Sequence, residues 1–180
     1  KMLFISFVTH TLTDSPRAGL YIGLATAAFV APYILFSAFT GRLAAREDNG
    51  KIIQTLKWIE LGIILASVSA FAIAAASPTT LALGGLLALL ALMGTHSAFM
   101  SPAKELMMTR IVSPHQLSDA NGRRTARTFF GIILGSALAI YLYMLPVAMA
   151  AKAGSLLILS LLGIMASRSL PLVSAWSPSL

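Results

Sequence analysis

Cysteine is absent from the 180 residues, and Asp and Glu together number only 6 against 13 Lys and Arg. The first absence excludes disulfides and thiolate metal sites, without fixing a compartment. Charged residues make up only 11% of the chain, where water-soluble domains carry about 25%. Also missing are a Gly-rich phosphate loop followed by Lys-Ser or Lys-Thr, an HExxH helix and a Gly-x-Ser-x-Gly elbow. His10 and His115 have no second ligand at helical spacing. The expectation is therefore a chain that is not an enzyme and holds neither metal nor cofactor.

What is present is apolar. Hydrophobic residues account for 57% and the mean hydropathy is +0.84. A bilayer core takes about 20 apolar residues per helical crossing, and by that ruler the chain holds about five spans and a stub. The expected fold is all-α, a polytopic transmembrane helix bundle forming a single domain over 1–180. Its helices fall at about 19–40, 52–76, 79–100, 125–145 and 153–170, with a partial first helix at 2–12. Polar connections are expected at 41–51 and 101–124. Residues 2–12 are too short to span, and the run lacks the basic n-region and cleavage site of a signal peptide. They read as the remainder of a first helix.

Lys and Arg concentrate in alternate connections, as they do in loops left in the cytoplasm. Arg42, Arg46 and Lys51 follow the span at 19–40, and Lys104, Arg110, Arg123, Arg124 and Arg127 lie between 101 and 127. Both basic connections are expected to face the cytoplasm. The net charge of +7 then reflects this asymmetry and attraction to anionic headgroups, with no nucleic acid implied.

The stretch SPAKELMMTRIVSPHQLSDANG, residues 101–122, contains two Ser-Pro steps. Ser101-Pro102 is expected to break the preceding helix, Ser113-Pro114 to open a short second one, and Asn121-Gly122 to stop it. Leu106, Met107, Ile111 and Val112 would form the apolar side of an interfacial helix.

Several polar residues fall within apolar runs. Lys57 and Glu60 are three apart and share a helix face, as a neutralising pair or an intramembrane site. His96 is either a proton relay or an imidazole satisfied by Thr95, Ser97 and nearby carbonyls. Arg123, Arg124 and Arg127 hold anionic headgroups, clamp this segment to acids of a partner half, or serve orientation alone. Gly131 and Gly135 form a GxxxG step suited to packing against a neighbouring helix. Pro32 is expected to kink its helix, its freed carbonyl lining a cavity or met by Ser37 or Tyr33.

GRLAAREDNGK, residues 41–51, resembles the loop signature of the major facilitator superfamily, Gly-x-Leu-Ala-Asp-Arg-x-Gly-Arg-Lys. Gly41, Leu43, Ala44, Arg46, Gly50 and Lys51 fit with one inserted residue, and Ala45 stands where the family has Asp. Ser101-Pro102-Ala103-Lys104, the ending Ala120-Asn121-Gly122 and the helix from Gly131 to Ser136 resemble the lysophospholipid transporter branch. So do residues 2–41, including versions fused to an acyltransferase and an acyl-activating domain.

The resemblance implies the N-terminal six-helix half of a twelve-helix transporter in the bacterial inner membrane. Such a transporter would move 2-acyl-glycerophosphoethanolamine-like lipids by alternating access. It implies Lys104 as the headgroup residue, the other reading being a lysine that snorkels to headgroups from a helix end, with Gly41, Arg42, Arg46, Gly50 and Lys51 as a gating loop and Glu47 or Asp48 standing in for the missing acid. Implied partners are a phospholipid or lysophospholipid, the membrane and the missing C-terminal half. A drug or sugar transporter and a non-transporting membrane scaffold are the other readings.

Overall fold

The computed structural model describes residues 18–77, 79–145 and 149–170. The expected stub at 2–12 lies outside them. Among the described residues the regular secondary structure is all helical, with no strand. Helix α1 is Ala18–Arg46, α2 Asn49–Ala76, α3 Thr80–Ile111, α4 Leu117–Met144 and α5 Met149–Arg168. A 3-10 turn, Pro114–Gln116, precedes α4. The stretches Gly19–Arg46, Asn49–Ala74, Thr80–Ile111 and Pro114–Leu142 are each long and apolar enough to cross a membrane.

Large apolar side chains remain exposed on the helices, for example Leu20, Ile34 and Leu35 on α1 and Phe130, Ile133 and Tyr141 on α4. That distribution suits a lipid solvent, where outward apolar faces carry no penalty. Hydroxyls within the spans turn back on their own helices. Thr26 donates to the Ile22 carbonyl, Ser67 to Ile63, Thr95 to Ala91 and Ser97 to Met93. This satisfies them without water.

Helix α3 is central. Near its start Leu83, Leu86 and Leu90 pack with Ala25 of α1 and Phe71 and Ala74 of α2. Near its end Met100, Ala103 and Met107 pack with Ile53 and Leu56 of α2. Phe99 meets Phe36 and Phe39 of α1, with ring centroids 6.3 and 6.1 Å apart. Helices α1 and α3 thus run parallel, with α2 antiparallel to both. The end of α5 docks at the start of α2, where Gln54 donates to the Ser167 carbonyl and Arg168 lies over Trp58.

Among the described residues the closest backbone approach at a glycine is Gly94 of α3 against Phe29 of α1, where an added Cβ would run into the Phe29 carbonyl. Gly131 and Gly135 have nothing within 4 Å of such a Cβ. The expected GxxxG packing of α4 against a described neighbour is therefore not made. Ser37 donates to Ile34, at 3.0 Å, rather than to the carbonyl freed by Pro32.

Both expected connections are mostly helical. Helix α1 continues to Arg46, because Arg, Leu and Ala over 42–46 are strong helix formers and one Gly costs only about 1 kcal/mol. The link is then Glu47 and Asp48 alone. Asp48 caps α2, its Oδ1 accepting from Gly50 N at 2.8 Å and Lys51 N at 3.2 Å.

Helix α3 passes through Pro102 to Ile111. The Pro removes one hydrogen bond, while Ala103 and Met107 beyond it are buried against α2, so packing holds the helix. Met107 is thus a core residue and no separate interfacial helix forms. The chain breaks at Ser113, whose extended backbone (φ −63, ψ 148) is what a residue before Pro prefers.

Asn121-Gly122 does not stop a helix either, since α4 runs from Leu117. Its first turns are held by the Asp119–Arg123 pair at 3.0 Å and by Arg124 donating to Asn121, which offset the Gly.

Candidate functional site

The antiparallel arrangement brings the end of α1, the start of α2, the end of α3, the start of α4 and the end of α5 to one end of the bundle. Arg42, Arg46, Lys51, Lys104, Arg110, Arg123, Arg124, Arg127 and Arg168 all lie toward that end. Three polar constellations occur there or just inside it, and two of them contain expected site residues.

The first is a groove between α3 and α4 of about 610 Å³, lined by Lys104, Arg123, Arg124 and Arg127 with Met108, Ala120 and Thr128. Residues 104 and 127, far apart in sequence, are thereby brought together. Arg124 pairs with Glu105 at 2.5 Å and Arg123 with Asp119 at 3.0 Å. Lys104 and Arg127 are in no ion pair among the described residues. Four cations against two carboxylates leave an excess of positive charge in one concavity. The Arg124 Nε is buried without a hydrogen-bond partner, so one donor there is unspent. The chemistry on offer is recognition of an anion, with Arg supplying planar forks and Lys a point charge.

The second lies inside the bundle. Lys57 Nζ and Glu60 Oε2 are 2.7 Å apart, with side chains 19% and 16% exposed. His96 Nε2 donates to the Leu56 carbonyl at 3.0 Å and stands 3.8 Å from the same Glu60 oxygen. A carbonyl can only accept, which assigns the proton to Nε2. Thr95 and Ser97, expected as its partners, are bonded to their own helix instead. Gly163 of α5 leaves room for the lysine, as a Cβ there would come within 3.0 Å of Lys57 Nζ. The three side chains form a connected polar cluster in which Lys57 and Glu60 make one charge pair.

The third is structural. Arg110, at the end of α3, donates to the Ala45 carbonyl at 3.0 Å and the Glu47 carbonyl at 3.2 Å. Fully buried Asn49, its amide oriented by its neighbours, donates to the Ala44 carbonyl and accepts from Arg110, both at 3.0 Å. Arg110 therefore closes the carbonyl end of α1 and ties α3 to the α1–α2 link.

Arg110→Ala is expected to lower stability by about 1–3 kcal/mol, because charged-donor bonds are lost and a buried Asn oxygen is stranded. Arg110→Lys should recover little, having no fork. Thermal melts in detergent check this, and unchanged melting in both variants would refute the clamp.

The residues expected as a gating loop are not gathered into a site. Gly41, Arg42 and Arg46 lie on the last turns of α1 and Gly50 and Lys51 on the first turn of α2. Arg42, Arg46 and Lys51 are exposed and in no ion pair among the described residues. Asp48 caps α2 and Glu47 is in no ion pair among the described residues. Sequence reasoning missed the Arg110–Asn49 clamp, and a contact across more than 60 residues left no local signal.

The class of protein that fold and charge distribution define is a helical membrane protein. No family model, curated protein or solved structure matches the chain.

Proposed function

We propose that this chain is the N-terminal half of a transporter of the major facilitator type that moves lysophospholipids across the bacterial inner membrane, its basic end cytoplasmic. The observation that carries the reading is the groove lined by Lys104, Arg123, Arg124 and Arg127, an excess of cations in one concavity of a largely apolar bundle. A lysophospholipid carries one phosphate and one acyl chain, so it matches a cationic groove bordered by lipid-facing helices. The motif resemblance at 41–51 and 101–136 supports the same reading. The exposed faces of α4 suit packing against a second half, which the rocking of paired repeats requires.

Lys104 contributes an ammonium to the phosphate, and Arg127 provides the second uncommitted charge. Proteoliposomes carrying the complete parent protein, given labelled lysophosphatidylethanolamine with a sugar and a cationic dye as competitors, test the reading. Lipid-specific uptake is expected. Lys104→Ala should lower that uptake about tenfold, the worth of one charge-assisted hydrogen bond, at unchanged membrane level. Unaltered uptake in that variant would remove Lys104 from the site, and uptake of dye or sugar instead of lipid would overturn the substrate.

A further inference from the structure

A second concavity, of about 440 Å³, opens between the end of α1, the start of α2 and the middle of α3. Its wall is mostly apolar, built from Ile59 and Ile63 of α2 and Leu92 and Phe99 of α3, with Thr55, Thr95 and His96 the polar residues among them, while acidic and lysine side chains are confined to one end at Glu47, Asp48 and Lys51. Along α2 the lining runs from Asp48 to Ile63, about 22 Å at 1.5 Å per residue. Half a bilayer, headgroups included, measures about 20–22 Å. The slot therefore has the length of one leaflet and the polarity of one lipid molecule, charged at the interface and apolar toward the midplane.

The charged end also has a sign pattern. Asp48 is committed to the cap of α2. Glu47 and Lys51 are both exposed and neither is in an ion pair among the described residues. One free carboxylate beside one free ammonium complements a zwitterion. An anionic headgroup without an amine would meet Lys51 but also the Glu47 carboxylate.

We propose that this slot binds a single phospholipid bearing an ammonium headgroup, its phosphate at Lys51, its amine at Glu47 and an acyl chain along Ile59, Ile63 and Leu92. This site is separate from the basic groove and does not depend on the transport reading, since a lipid held here need not move.

The test uses the complete protein in detergent with a phosphatidylethanolamine carrying a photoreactive group in its acyl chain, followed by mass spectrometry of labelled peptides. Labelling is expected to concentrate on 52–63 and 92–99 and to be competed by unlabelled phosphatidylethanolamine but not by phosphatidylglycerol. Leu92→Trp should fill the slot and cut labelling about tenfold or more. Leu92 is 53% exposed and Ile59 48%, so Ile59→Trp gives an independent block should the first variant misfold. Glu47→Lys should reverse the lipid preference.

Labelling spread evenly over the exposed faces of α1 and α4 would overturn the site, as would labelling undiminished by either Trp in a folded protein. Equal competition by phosphatidylglycerol would overturn the headgroup assignment. Absence of labelling from 52–63 and 92–99 would likewise overturn the site.

Discussion

Glu60→Leu is expected to destabilise the protein by about 2–3 kcal/mol. Removing one partner of a fully buried ion pair costs about 3–5 kcal/mol, because the other charge is left uncompensated. The Lys57 and Glu60 side chains keep 19% and 16% of their exposure, and a lysine can bend its ammonium toward the interface, which lowers the figure. Lys57 lies about 12 Å along α2 from Asn49, among apolar neighbours, so the relief is partial.

The charged species left behind is the cause, and the double substitution Lys57→Met with Glu60→Leu should therefore recover most of the loss. His96 joins the pair through the Glu60 oxygen at 3.8 Å but keeps its bond to the Leu56 carbonyl. His96→Leu should consequently be milder than Glu60→Leu. Melting of the three variants in detergent decides the matter. A single variant as stable as the parent would show that the pair contributes nothing, and a double variant no better than the single would show that the stranded charge is not the cause of the loss.

Gly94→Ala should cost about 2–3 kcal/mol, at the upper part of the usual overpacking range. A Cβ at Gly94 would collide with the Phe29 carbonyl oxygen and lie 2.9 Å from its carbon. Backbone cannot rotate aside as a flexible side chain can, so α1 and α3 must part over several residues. The loss would reach the Ala25, Leu86 and Leu90 cluster and the Phe36–Phe99 contact, both formed between the same two helices. Gly131→Ala and Gly135→Ala meet open space, and should change stability by less than about 0.5 kcal/mol, Ala being the better helix former. Folded yield and melting temperature of the three single variants give the comparison. Equal tolerance at all three positions would show that the Gly94 contact does not set the helix separation.

These glycines show what a sequence reader could find. GxxxG at 131–135 is a local pattern, whereas Gly94 owes its role to Phe29, 65 positions earlier. Helix existence was legible because long apolar runs leave the backbone no partner but itself in a bilayer. Helix ends were less legible. Charge marks where a chain leaves the hydrocarbon, not where its hydrogen bonds stop, so α1 and α3 continue beyond their apolar stretches. Pro102 and Gly122 carried the signals of breakers, and contacts to α2 at Met107 and to α3 at Arg124 outweighed them.

The Lys57–Glu60 pair was readable because three residues on a helix fix a shared face. The Leu56 carbonyl that holds His96 was not, because it belongs to another helix. Composition and periodicity, each a property of the chain read along itself, determined the apolar helical class, whereas of the five expected spans four are long and apolar enough to cross a membrane among the described residues. Which faces meet depends on shape matching between residues tens of positions apart. Only the tertiary structure therefore decided that α3 is central, that Arg110 closes α1, that Lys104 shares a groove with Arg127, and that a lipid-length slot lies beside α2.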